Sequence, residues 1–171
     1  MLLKDSIHAE SFVSPANYTQ PALIVPQLRE RETAGVIKEL SQLLHQEGCV
    51  PDVLPFYNAA LNREFLVNTA IESGLAFPHA RLSGQRQLVF ALGRSDEPLV
   101  WGPRGTQPVR LVFLLAVPAT DAANYILLIG SLTRLSRELA LLERLHKARD
   151  SFEMFDVLKE VRLQSGRASG A

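Results

Sequence analysis

Apolar residues recur at helical spacing in two segments of the first half of the chain. The first segment starts near Thr33, and Gly48 is placed to end its helix. The second starts near Pro51, which suits the first turn of a helix, although Pro55 could move the start a few residues later. The apolar positions are Val36, Ile37, Leu40, Leu43 and Leu44, then Val53, Leu54, Tyr57 and Leu61. The pattern predicts two helices packed side by side, followed by an irregular stretch over residues 62–73.

Continuous apolar runs replace this helical spacing in the middle of the chain. A short run from Gly74 is ended by Pro78, which favours a strand over a helix. Residues 88–92 and 111–117 form longer apolar runs without polar alternation. Such runs are typical of central strands that are covered on both faces. Residues 96–107, which are rich in Pro and Gly, are predicted to form a loop or hairpin connection between the two runs.

Helical spacing returns after Pro118 and continues almost to the end of the chain. Thr120 is the predicted N-cap of the first of three helices, and Asp150, with Glu153 three residues later, is the predicted N-cap of the last. The apolar positions of the three helices are Tyr125, Leu128, Ile129, Leu132 and Leu135, then Leu139, Leu142 and Leu145, then Phe152, Phe155 and Leu158. The whole pattern predicts one α/β domain over residues 21–163. A loosely structured lead-in over residues 1–20 and a flexible tail over residues 164–171 are predicted to flank it.

Composition and charge exclude several classes of protein. The chain has 171 residues, which suits one domain, and its 18 basic and 18 acidic residues show no clustered basic face of the kind that nucleic-acid binding needs. Cys49 is the only cysteine, so an internal disulfide and a multi-thiolate zinc site are excluded. The first ten residues lack a signal-peptide core, and the longest apolar run, Leu111–Pro118, is too short for a membrane helix. We therefore predict a cytoplasmic protein with no nucleic-acid partner and no direct membrane insertion.

The candidate chemistry lies between Gly74 and Arg81. Pro78 ends the short strand and places His79 at a strand terminus, where a partner can reach it. An imidazole with a pKa of about 6.5 is largely neutral near pH 7, so one ring nitrogen is available as a nucleophile. The guanidinium of Arg81 suits phosphate oxygens. On these residues alone, a polar surface histidine is the commoner interpretation.

The other three histidines have ordinary structural interpretations. His8 falls in the lead-in. His45 and His146 fall late in predicted helices, where the helix dipole favours a partly cationic imidazole.

An ordered set of motifs gives a stronger indication that His79 is a functional residue. Arg63-Glu64, then Thr69, then Gly74-Leu75-Ala76-Phe77-Pro78-His79-Ala80-Arg81 resembles the enzyme IIA domains of the fructose–mannitol class of sugar phosphotransferase systems, including the nitrogen-related branch. The similarity continues through residues 89–94 with Pro98 and residues 111–115 with Pro118, and covers about residues 21–161. The resemblance implies a mixed β-sheet sandwiched between helices on both faces.

The resemblance also implies roles for individual residues. His79 corresponds to the histidine that accepts a phosphoryl group from the carrier protein HPr, or a variant of it, and passes it to a cysteine of a IIB protein. Arg63 matches an arginine beside that histidine, and Thr69 matches a small hydroxyl residue in the loop that approaches it. No cofactor and no metal are expected.

Two positions depart from the family pattern. Tyr125 occupies the place of the family's second active-site histidine, and a phenol can donate a hydrogen bond to phosphate but supplies no positive charge. An aromatic that packs on the core is the alternative for Tyr125. Glu72 falls where the family has glycine, and at about 8 Å it would repel each unit of phosphate charge by roughly 2 kcal/mol at an effective dielectric constant of about 20.

Two functions follow from these observations. In the first, His79 attacks a phosphohistidine donor in line, and Arg63 and Arg81 stabilise the charge on the transferring group. In the second, the domain is a regulatory binding module that controls a target protein, with reduced or lost phosphotransfer. A hydrolase is disfavoured, because the chain has neither a Gly-x-Ser-x-Gly elbow nor a His-Glu-x-x-His motif.

Overall fold

A five-stranded mixed sheet forms the centre of the fold in the computed structural model, which describes residues 12–102 and 107–164. Its strands run in the order β2-β5-β6-β3, and β4 also pairs with β6. The strands are β1 (Phe12–Val13), β2 (Ile24–Val25), β3 (Leu75–Ala76), β4 (His79–Leu82), β5 (Val89–Trp101), β6 (Gln107–Pro118) and β7 (Leu163–Gln164). The helices are α1 (Thr33–Gln46), α2 (Val53–Leu66), α3 (Ala122–Leu135), α4 (Leu139–Lys147) and α5 (Ser151–Glu160).

Both faces of the sheet are covered by helices. Successive side chains of a strand point to opposite faces, so Val89 and Ala91 of β5 pack in the layer of α1 and α2. Phe90 and Leu92 pack in the opposite layer, with α3, α4 and α5. The predicted sandwich, with central strands buried on both faces, is confirmed.

Helix α2 extends further than the sequence pattern predicts. It begins at Val53, and Pro55 is its third residue, where the missing N–H would have had no partner within the helix. The helix continues to Leu66, so the prediction of an irregular stretch from residue 62 is wrong for its first five residues. As a result, Arg63 is held on a helix rather than in a loop.

Strands β5 and β6 are also longer than predicted. β5 runs on to Trp101 and β6 begins at Gln107, so most of residues 96–107, predicted as a loop or hairpin connection, is sheet. The two strands pair antiparallel, as the hairpin alternative requires. The pairing shifts register between Arg94 and Leu99. A bulge of this kind accommodates Pro98, which cannot donate a hydrogen bond to the ladder.

The strand that carries His79 is interrupted immediately before it. β3 and β4 both pair in parallel with β6, with Leu75 opposite Leu111 and His79 opposite Leu115. Phe77 and Pro78 form the break between the two strands, and the carbonyl of Pro78 accepts a hydrogen bond from the Leu115 N–H at 3.0 Å. The predicted strand terminus is therefore present, with His79 as the first residue of β4.

Two of the three residues predicted to cap helix ends are confirmed. Gly48 follows α1 with a φ of 73°, and the Asp150 carboxylate accepts from the Glu153 N–H at 2.9 Å, as predicted. The prediction of Thr120 as the N-cap of α3 is wrong. Asp121 holds that position and accepts from the Asn124 N–H, because the chain still makes a turn at Ala119–Thr120 after leaving β6.

His146 lies in a different electrostatic setting from the one predicted. The end of α4 is occupied by the buried guanidinium of Arg94, which donates to the carbonyls of Leu145, His146 and Ala148. Burial first, and then the charges of Arg110 and Arg94, lower the pKa of His146. The prediction of a partly cationic imidazole is therefore wrong, because burial and then the two nearby guanidinium groups disfavour the charged ring.

This setting predicts how stability depends on pH. A histidine whose pKa is lowered by folding binds more protons in the unfolded state, so the free energy of unfolding should fall as the pH drops below about 6.5. Urea unfolding at several pH values should show a shallower decline for His146→Gln than for the unmodified chain. An identical decline in both proteins would contradict the assignment.

The predicted lead-in and tail are only partly within the described residues. Phe12–Val13 pairs with Leu163–Gln164, and the Ser14 hydroxyl donates to the Leu158 carbonyl, so this part of the lead-in has regular structure. Residues 1–11 and 165–171 lie outside the described part of the chain, and the domain limits stay predictions. None of the helices in the described ranges combines the length and the apolar character that a membrane span requires.

Candidate functional site

A pocket of about 470 Å³ opens beside His79 at the edge of the sheet. Four elements meet there, since α2, β4, β6 and α3 each contribute to its lining. The lining residues are Ala59, Arg63, His79, Ala80, Arg81, Val117 and Tyr125. Four of the five site residues predicted from the sequence are thus brought to one pocket, and Thr69 is the exception.

The ring of His79 is held in a defined orientation. Its Nδ1 lies 3.1 Å from the carbonyl oxygen of Phe77. A carbonyl oxygen only accepts hydrogen bonds, so this contact requires the proton to be on Nδ1. In the neutral ring the lone pair is then on Nε2, so Nε2 is the ring nitrogen that is able to act as a nucleophile.

Two guanidinium groups give the pocket a positive field. Arg63 projects from α2 and Arg81 from β4, and both side chains are exposed. Neither arginine forms an ion pair with any carboxylate in residues 12–102 or 107–164. Their charge is therefore available to an anion that enters the pocket.

Tyr125 faces the pocket from the first turn of α3. Its ring centroid lies 5.7 Å from that of His79, and the guanidinium carbon of Arg81 lies 5.8 Å from the centre of the tyrosine ring. Burial raises the pKa of Tyr125, while the charges of Arg81 and Arg63 oppose that rise. The phenol therefore keeps its proton at neutral pH and can act as a hydrogen-bond donor. Tyr125 also packs against the core. It therefore has both of the positions considered from the sequence, since it faces the site and packs on the core.

Thr69 lies behind the histidine rather than in the pocket. Its hydroxyl oxygen accepts from the Phe77 N–H at 2.9 Å and lies 2.8 Å from Oε2 of Glu64. Glu64 is 1% exposed, and its Oε1 also accepts from the indole Nε1 of Trp101 at 2.8 Å. The sequence pattern marks Glu64 only as part of the Arg63-Glu64 motif and gives no signal for Trp101. Their contact joins residues 37 positions apart in the chain, which no local pattern encodes.

Comparison with models of known families decides which family this site belongs to. Residues 17–161 match the model described as phosphoenolpyruvate-dependent sugar phosphotransferase system, EIIA 2. The chain belongs to this family. The recognition of an enzyme IIA domain of the fructose–mannitol class from the sequence is confirmed.

Relatives of this EIIA domain include regulatory proteins. It is 31% identical over 143 residues to the Nitrogen regulatory protein of Bradyrhizobium diazoefficiens, covering 81% of this chain and 90% of that protein. It is 33% identical over 131 residues to the Transcriptional regulator ManR of Bacillus subtilis, covering 77% of this chain but only 19% of that longer protein. Among solved structures, Nitrogen Regulatory Protein IIA-Ntr from Neisseria meningitidis superposes with a TM-score of 0.69 at 26% identity, covering 84% of this chain and 97% of that one.

The remaining sequence candidates lie away from the pocket. Glu72 is exposed in the loop before β3 and is not a lining residue, so solvent screens its charge from the site. His45 contacts the Val50 carbonyl through Nδ1 at 2.9 Å, which is a structural role. His8 lies outside the described residues.

Proposed function

We propose that this EIIA domain accepts a phosphoryl group on Nε2 of His79 from an HPr-like carrier and transfers it to a cysteine of a IIB protein. The orientation of the His79 ring is the observation that carries the proposal. Because Nδ1 is held by the Phe77 carbonyl, the lone pair of the neutral ring is on Nε2, and His79 lines the same pocket as Arg63 and Arg81. Family membership supports a role as a phosphocarrier component.

The transfer step is a displacement at phosphorus. The Nε2 lone pair forms the new N–P bond while the N–P bond of the donor phosphohistidine breaks, and the donor nitrogen keeps that electron pair. His79 then gains positive charge while its Nδ1 keeps its proton, and the Phe77 carbonyl dipole stabilises that charge. Arg63 and Arg81 neutralise charge on the oxygens of the transferring group. No cofactor and no metal take part in the proposed step.

Tyr125 supplies a hydrogen bond in place of a cation. Its ring lies against His79, so the phenolic hydrogen can be donated to a phosphoryl oxygen on Nε2. A neutral donor stabilises the anion less strongly than a cationic one. We therefore propose that this domain retains phosphotransfer, with the two arginines supplying the positive charge.

We expect Tyr125→Phe to slow phosphoryl acceptance about three- to tenfold, because one hydrogen bond worth roughly 0.5–1.5 kcal/mol is lost while the ring remains. Tyr125→His should raise the rate, since it restores a donor that can carry positive charge. Initial labelling rates per folded molecule, with melting temperatures beside them, check both changes. A tyrosine that served only the core would leave the Tyr125→Phe rate unchanged.

Reconstituted phosphotransfer tests the proposed function directly. The protein is incubated with enzyme I, an HPr preparation and radiolabelled phosphoenolpyruvate, and then with candidate IIB proteins. Acid-labile label entering the chain, and leaving it when a IIB protein is added, is the expected result. Absence of label with an active donor would refute the proposal.

A regulatory role is the second candidate, and similarity to nitrogen regulatory proteins over most of the chain favours it. In this case the phosphorylation state of His79, or the presence of the domain alone, controls a target protein. Label that enters the chain but passes to no IIB protein from the same cell would favour this role. Affinity capture with unmodified and phosphorylated protein would then identify targets that distinguish the two states.

A further inference from the structure

We propose that Glu64 is a positioning residue for phosphoryl acceptance, acting on the His79 ring through Thr69 and Phe77. The inference rests on the proposed phosphorylation of His79, and assigns to a buried carboxylate the task of fixing which ring nitrogen carries the proton. Glu64, Thr69 and Phe77 form a continuous chain of hydrogen bonds that ends on Nδ1 of His79.

This series of hydrogen bonds begins at the buried carboxylate of Glu64, which accepts only from neutral donors. Oε1 of Glu64 accepts from the Thr69 N–H at 2.9 Å and from the Trp101 indole at 2.8 Å. The Thr69 hydroxyl lies 3.1 Å from Oε1 and 2.8 Å from Oε2. No cation pairs with Glu64 in the part of the chain that the structure describes. Burying such a group is costly, and an apolar residue of similar volume would serve packing as well.

The carboxylate determines the direction of the next hydrogen bond. The oxygens of a carboxylate accept hydrogen bonds, so the single hydroxyl hydrogen of Thr69 points to Glu64. A lone pair of the same oxygen is then left for the Phe77 N–H, at 2.9 Å. A group able to donate at position 64 would remove this constraint.

The hydrogen bond between Thr69 and Phe77 positions Phe77, whose carbonyl oxygen contacts the His79 ring. Phe77 is fixed at its N–H by Thr69, and the next residue is a proline with restricted φ whose own carbonyl is held by Leu115. The Phe77 carbonyl is thereby presented to Nδ1 of His79 at 3.1 Å. The network thus favours the Nδ1–H tautomer and leaves Nε2 unprotonated toward the pocket.

Three variants separate this positioning role from a structural one. Glu64→Gln keeps the shape, but its amide NH₂ can donate to the Thr69 hydroxyl and reverse the hydrogen bond. Thr69→Val keeps the volume and removes the hydroxyl, whereas Thr69→Ser keeps it. Ser41→Ala is the matched control, since it removes a buried side-chain hydrogen bond, to the Ile37 carbonyl, at a position outside the network. Chemical shifts of the His79 ring nitrogens report the tautomer, and labelling with the enzyme I and HPr mixture reports the rate.

We expect Glu64→Gln and Thr69→Val to raise the Nε2–H fraction of His79 and to lower the labelling rate per folded molecule about three- to tenfold. Thr69→Ser should restore both, and Ser41→Ala should lower stability alone. An unchanged tautomer in Glu64→Gln or in Thr69→Val would overturn the proposal, as would an equal tautomer shift in Ser41→Ala. If Thr69→Val does not fold, Glu64→Gln and Thr69→Ser decide the question. Absence of label in the unmodified protein would refute the proposed function, but the tautomer measurements would still test the positioning of the ring.

Discussion

Replacing His79 with alanine or glutamine should abolish labelling of this EIIA domain by phosphorylated HPr. The reason is that Nε2 of His79 is the nucleophile of the proposed step, and no second imidazole lines the pocket. The side chain is only partly buried, so the fold should survive its removal. Phosphopeptide mapping of the unmodified protein, under conditions that preserve acid-labile phosphate, should place the label on His79 alone.

His45→Gln is the matched control for this experiment. His45 is also a histidine with Nδ1 bonded to a backbone carbonyl, but it lies at the end of α1 and outside the pocket lining. Its replacement should leave labelling intact. Label on a residue other than His79, or undiminished label in His79→Ala, would exclude the assignment.

Replacing either Arg63 or Arg81 with alanine should slow labelling by at least about tenfold. Each change removes a charge-assisted hydrogen bond to the transferring group, worth roughly 1.5–3 kcal/mol. Lysine at these positions should restore only part of the rate, because an ammonium lacks the planar fork that binds two phosphate oxygens at once. Both side chains are exposed, so melting temperatures should change little.

Arg86→Ala is the control for a general loss of positive charge. Arg86 is exposed in the connection after β4 and is not a lining residue of the pocket. Its removal should affect only the long-range attraction of the donor, which salt screens. A large fall in melting temperature for the Arg63 or Arg81 variant, with labelling per folded molecule unchanged, would show that the arginine is structural.

The residue at position 125 changes the charge that this site can offer to a phosphoryl group. Where the family pattern implies a second histidine, this chain has a phenol that remains protonated, since burial raises its pKa. The guanidinium of Arg81 lies over the same ring, close enough for a cation–π contact. Arg81 is thereby held at the edge of the pocket, where it can act on an anion bound to His79.

The sequence by itself determined the α/β architecture and the position of His79 at a strand terminus. Continuous apolar runs in residues 88–92 and 111–117 specified buried central strands, because a strand covered on both faces has no position for a polar side chain. Pro78 specified the break before His79, because proline cannot donate to a sheet ladder. The ordered motifs from Arg63 to Arg81 were enough to identify the family.

Only the tertiary structure decided where the elements end and how the histidine is held. Helix α2 continues through Arg63 and Glu64, and β5 continues to Trp101, because both gain packing and hydrogen bonds from parts of the chain that are distant in sequence. The same is true of His146, whose pKa is lowered by burial and by two arginines brought close by folding. Local periodicity reports which side chains are buried, whereas hydrogen-bond partners and electrostatic neighbours are set by contacts that exist only in the folded chain.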